Sequence, residues 1–172
     1  MTILGIDPGY ALIGYAVIET ENIRNYILKT CGVIRTSSEL NFFLRLEEIY
    51  ERMNIILNEF SPDIIAIESI YFQNNQKTAI AVAHARGIII LSAQKLKIPI
   101  YEFTPLQVKK TLTGYGKATK QQIMLMTKKI LNLTNLPKQD DAADALAIAI
   151  CGSLHKNNFK MAKKRVDANY TK

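Results

Sequence analysis

The hydrophobic pattern predicts an α/β fold on a mixed sheet of about five strands flanked by helices. Three observations carry it. Three short strand-like runs near the N-terminus are joined by tight connections, which implies antiparallel neighbours. A long amphipathic helix then leads into a short, nearly all-apolar strand, the pattern of a crossover to a parallel, buried strand. The C-terminal third is helical and ends in an alanine-rich helix.

The elements follow in order. Thr2 to Ile6 alternates as a strand and stops at Pro8-Gly9, a strong turn signal. Gly14 to Glu19 reads as a second strand and Tyr26 to Ile34 as a third, with the turn near Glu21-Asn22. Ser37 or Ser38 is the expected helix cap. From Leu40 the apolar residues Phe43, Leu46, Ile49, Tyr50, Met53, Ile56, Leu57 and Phe60 recur at helical spacing, and Ser61-Pro62 closes the helix. Asp63 to Glu68 is the buried strand. Gln76 to Leu96 reads as a second helix, Ile98 to Phe103 as a fifth strand. Helix resumes from Thr104, breaks around Gly114-Tyr115-Gly116, and finishes with a compact helix over Gln139 to Ser153. Residues 1–154 form the expected folded domain. The segment 155–172 loses apolar periodicity and reads as a basic, flexible tail.

Composition narrows the classes. With 172 residues, 48% of them apolar, the chain can bury one core without staples. Lys and Arg number 22 against 15 acids, a net +7 that favours a polyanionic partner, although a merely soluble basic protein fits the charge equally. Cys31 and Cys151 lie in apolar contexts and support neither a disulfide framework nor a zinc cluster, as expected in a reducing cytoplasm. The start MTILGIDPG is unlike a signal peptide, and apolar stretches such as Gly87 to Ala93 are too short to span a membrane.

Four acids stand where bulk charge is unexpected. Asp7 and Glu68 each end an apolar strand; Asp141 and Asp144 open an apolar helix. If the two strands are adjacent and parallel, Asp7 and Glu68 sit side by side at the edge where such sheets place their sites. Asp141 and Asp144, three apart, share a helix face. Ala142, Ala143, Ala145 and Ala147 keep that helix slim enough to approach the sheet. Clustered carboxylates raise one another's pKa, and a divalent cation relieves the repulsion. Oxygen-only donors select Mg²⁺ or Mn²⁺ over zinc, the arrangement used for in-line attack on phosphodiesters. Each acid also has a plain reading: an Asx turn at Asp7, a loop cap at Glu68, a helix N-cap at Asp140 or Asp141.

The motifs ILGIDPG at 3–9, IAIES at 65–69, ARG at 85–87 and DDAADALAIAI at 140–150 resemble those of the RuvC Holliday junction resolvases, in order and spacing from Met1 to about Ser153. The resemblance implies an RNase H-like fold, a catalytic and metal-binding tetrad at Asp7, Glu68, Asp141 and Asp144, and Mg²⁺ as cofactor with Mn²⁺ able to substitute. It implies a cytoplasmic homodimer that nicks four-way junction DNA symmetrically, in recombination and repair, beside a branch-migration motor complex. In such proteins the helix matching 76–96 forms the dimer interface. Asp140 departs from the pattern as a fifth acid, and it too is a near neighbour of Asp144.

Seven lysines lie between Thr104 and Lys138 (Lys109, Lys110, Lys117, Lys120, Lys128, Lys129, Lys138) with no acid among them, a one-signed surface suited to phosphates. Lys109 and Lys120 match positions that look like DNA contacts in the family. Tyr71, next to the Glu68 strand, is placed to stack on an unpaired base or to pack in the core. Arg86 is placed for a phosphate or an acid partner. The rival functions are an RNase H-like nuclease acting on RNA, an actin-like or sugar-kinase ATP-binding protein, and a non-catalytic junction-binding module. The chain is too short for the second, and four clustered acids near phosphates serve no purpose in the third.

Overall fold

The computed structural model describes residues 1–22, 25–70 and 76–155, with only the backbone given at residues 76–78 and at Asn22. The elements are β1 (Thr2–Asp7), β2 (Leu12–Asn22), β3 (Asn25–Arg35), α1 (Phe42–Phe60), β4 (Ile64–Glu68), α2 (Gln76–Lys95), β5 (Ile100–Phe103), α3 (Pro105–Thr113), α4 (Lys120–Ile130) and α5 (Asp140–Leu154). The five strands form one mixed sheet in the order β3-β2-β1-β4-β5. The first three are antiparallel, and β4 and β5 run parallel to β1. Both the fold class and the crossover are as the sequence predicts.

Period-two alternation divides the core between the sheet's faces. Leu4, Ile6, Ile65 and Ile67 pack beneath α1 and α2 with Ile49, Met53, Leu57 and Ile89. Ile3, Ile64 and Ala66 pack beneath α5 with Ala145, Leu146 and Ala149, and α3 and α4 cover that side through Val108, Leu112 and Ile123. Since Ile6 and Ile67 face α1 and α2, the next residues, Asp7 and Glu68, fall on the α5 face.

The local starts and stops have identifiable causes. The cap of α1 is Asn41, not Ser37 or Ser38: its Oδ1 accepts from Phe43 N at 3.0 Å and Leu44 N at 3.1 Å. Ser37 instead closes a turn, accepting from Glu39 N. Phe43, expected on the buried stripe, is 77% exposed; Phe42 takes the inner position against Tyr10 and His84. Thr104 and Thr119 begin α3 and α4 with reciprocal capping boxes to Gln107 and Gln122. Between these helices Gly114 adopts a positive φ that ends α3. Among the described residues no helix is long and apolar enough to cross a membrane.

Candidate active site

The two strand-end acids come together through register. Ile6 pairs with Ile67 in the parallel β1–β4 ladder, so Asp7 and Glu68 follow as neighbours at the C-terminal ends of the two strands. The helix carrying the other acids reaches them because the sheet beneath it is cut away. A Cβ on Gly14 would lie 2.0 Å from the Asp141 carbonyl oxygen, and one on Gly5 would lie 2.2 Å from that of Ala145. These glycines let the α5 backbone rest directly on β2 and β1, and the alanines of α5 do the same from the helix side. Gly5 and Gly14 were not singled out from the sequence, although glycine inside a strand is a signal of close backbone approach.

Electrostatics report the convergence. The Asp7 carboxyl is pushed up to about 7, first by burial and then by the charges of Glu68, Asp144 and Asp141, with Lys120 pulling the other way. Burial, then Asp144, also raises Glu68. Asp144 is raised by burial and by Asp140 and Asp141, against the hydrogen bond and charge of Lys120. All four acids named from the sequence therefore share one field. No three His, Cys, Asp or Glu side chains among the described residues are gathered tightly enough to enclose an ion as they stand.

One countercharge already sits there. Lys120, the first residue of α4, places Nζ 3.1 Å from Asp144 Oδ2 and 3.2 Å from Asp140 Oδ2. Burial tends to lower its pKa, but hydrogen bonds and charge from Asp144 and Asp140 outweigh that and raise it. A cleft of about 250 Å³ opens here, lined by Glu68 and Asp144 together with Pro105, Val108, Lys109, Lys120 and Ile123. Lys109 and Lys120 thus border the acids.

The remaining sequence candidates stand elsewhere. Arg86 lies on α2, across the sheet, with Nη2 2.6 Å from Glu102 Oε2. The approach is not aligned as a hydrogen bond, so Nε and Nη2 are buried without one among the described residues. Tyr71 and the tail 156–172 lie outside the described residues.

Two strand-end carboxylates facing two helix-borne ones, with lysines at the rim, form an oxygen-donor cluster suited to a hard divalent cation beside a phosphate. A family profile described as "Crossover junction endodeoxyribonuclease RuvC" matches residues 3–152. The chain belongs to the RuvC family. A relative of that description from Thermosipho melanesiensis is 51% identical over 152 residues, covering 88% of this chain and 96% of the relative. Another, from Caldicellulosiruptor saccharolyticus, is 47% identical over 158 residues, covering 92% and 95%. Among solved structures, T. thermophilus RuvC in complex with Holliday junction substrate superposes with a TM-score of 0.87 at 31% identity, covering 92% of this chain and 97% of that one. The yeast mitochondrial Holliday junction resolvase Ydc2, at 15% identity and a TM-score of 0.64, shares the fold.

Proposed function

We propose that this chain is a Holliday junction resolvase, an endonuclease that cuts four-way DNA junctions by paired symmetric nicks in recombination and repair. The observation that carries this reading is the meeting of Asp7 and Glu68 on adjacent parallel strands with Asp144 of α5 and Lys120 of α4, in a RuvC-family chain. An RNA-directed nuclease or a non-catalytic binding module explains the cluster less well. Against the first stand the two relatives named above, both described as a crossover junction endodeoxyribonuclease. The second would place negative charge against phosphate without benefit.

RuvC-type nucleases depend on a metal ion, and here the ion is Mg²⁺, with Mn²⁺ able to replace it. The residues fit such an ion in kind: every donor is a carboxylate oxygen, burial and then their mutual repulsion hold Asp7 near 7, and the Lys120 ammonium already stands in as a cation at Asp144. Asp7, Glu68, Asp141 and Asp144 would hold it. When bound, the ion would supply Lewis acidity toward the scissile phosphate and lower the pKa of an attacking water. The chain's own part is positional. Strand register fixes Asp7 beside Glu68, and glycines under α5 set Asp141 and Asp144 against them. Lys109 and Lys120 line the cleft to receive phosphate charge, and Lys120 offsets the charge that grows as the bond breaks. Tyr71 stacks on a base at the junction centre. Arg86 reaches a phosphate by exchanging Glu102 for it.

The folded unit is residues 1–154, with 155–172 a basic tail that adds non-specific DNA affinity. The protein works as a homodimer through α2, matching the near two-fold symmetry of a junction, beside a branch-migration motor in the cytoplasm. Asp7→Asn and Glu68→Gln test the assignment. Both variants should bind a four-way junction as the parent chain does and fail to cut it; cleavage at the parental rate by either removes that residue from the site.

A further inference from the structure

Asp140 is the one acid near the cluster that the nuclease reading leaves without work. Its side chain is 81% exposed, against 36% for Asp144. The two are one turn apart on α5 and share a face. The Lys120 ammonium lies between them, at 3.2 Å and 3.1 Å. An ammonium carries three donors and no acceptor, so it serves both carboxylates at once.

The two partners are not equivalent. Asp144 is partly buried, lines the cleft with Glu68 and adds to the field at Asp7. Asp140 is the outer of the pair. A divalent cation held by Asp7, Glu68, Asp141 and Asp144 would compete with Lys120 for the Asp144 oxygen. With a neutral residue at 140 the lysine would then lose its last acid partner, and its flexible four-carbon stem would sample solvent. With Asp140 in place, one anchor survives the exchange.

We propose that Asp140 is a positioning residue that keeps the Lys120 ammonium at the rim of the carboxylate cleft when Asp144 turns to a divalent cation. The inference rests on the nuclease reading above. It makes Asp140 neither a metal ligand nor only an acid complementing the N-terminus of α5.

The experiment uses the full chain with Asp140→Asn, Asp140→Glu, Lys120→Gln and the Asp140→Asn/Lys120→Gln pair. Single-turnover junction cleavage is measured at saturating Mg²⁺, and Mg²⁺ binding to the DNA-free protein is measured by calorimetry. Asp140→Asn should slow cleavage about threefold to fivefold, the upper range open to an exposed ion pair. Asp140→Glu should restore most of the rate. The Asp140→Asn effect should vanish in the Lys120→Gln background, because the acid acts through the lysine. Mg²⁺ affinity of the free protein should stay within about threefold, the effect of one exposed, screened charge. A drop in Mg²⁺ affinity of about tenfold or more would make Asp140 part of the metal site and overturn the proposal. So would an unchanged rate, a change confined to the melting temperature, or slowing that persists in the Lys120→Gln background. A parent chain that leaves junctions intact fails the nuclease reading; a parent that cuts them, with Asp140→Asn equal to it, fails only this inference.

Discussion

Asp7→Asn should make the ion-free protein more stable at alkaline pH while ending its activity. The Asp7 carboxyl ionises at about 7 in the folded chain against an ordinary 3.8, because burial and three neighbouring acids disfavour its charge. Between these two values the folded state holds a proton that the unfolded state has released. Stability therefore falls as pH rises through that window, and the loss is complete above about 7. A gap of about three pH units corresponds to about 4 kcal/mol at pH 8. The asparagine amide must still be buried, so the gain expected from removing the charge is about 2–4 kcal/mol, or roughly 5–10 °C in melting temperature for a domain of this size. At pH 4 the gain should shrink below about 1 kcal/mol, since the parental carboxyl is then largely neutral. Melting curves in EDTA at pH 8, 6 and 4 measure this directly. Adding Mg²⁺ should raise the parent's melting temperature and leave that of the variant nearly unchanged. A variant no more stable than the parent at pH 8 in EDTA would refute the claim that Asp7 sits in a repulsive, desolvated cluster.

Other expectations follow from the same geometry. Gly14→Ala sets a Cβ against the Asp141 carbonyl and should cost about 1–3 kcal/mol in urea unfolding, with slower cleavage as α5 is displaced. Lys120→Ala should slow cleavage about tenfold or more, as for loss of a donor aimed at transition-state charge; equal rates at several salt concentrations would contradict its role. Lys109→Ala should weaken junction binding and lower the slope of log K against log salt by about one, measured by fluorescence anisotropy.

Much of the architecture was legible because local pattern and global fold agree. β4 shows itself as a short, nearly all-apolar run after a long helix, and the crossover rule makes it parallel to a neighbour; that the neighbour is β1, the condition for Asp7 and Glu68 to lie side by side, comes from the register. The alanines of α5 announced close packing, but the complementary half, Gly5 and Gly14, becomes meaningful only once the helix is known to cross β1 and β2. The start of α1 was misplaced because Ser37, Ser38 and Asn41 are all good caps, and tertiary packing of Phe42 on Tyr10 and His84 selects the last. That same choice turns Phe43 outward. The setting of Arg86 depends on a partner sixteen residues later, Glu102, and on which sheet face the register gives that partner. The Lys120 bridge to Asp140 and Asp144 joins two helices whose spacing no local rule specifies.

Cleavage of a labelled four-way junction and a matched linear duplex, each with Mg²⁺ and with EDTA, tests the central claim most directly. Symmetric paired nicks in the junction alone, abolished by EDTA, are the expected result. An intact junction with every divalent metal tried, or equal cutting of the duplex, would contradict it.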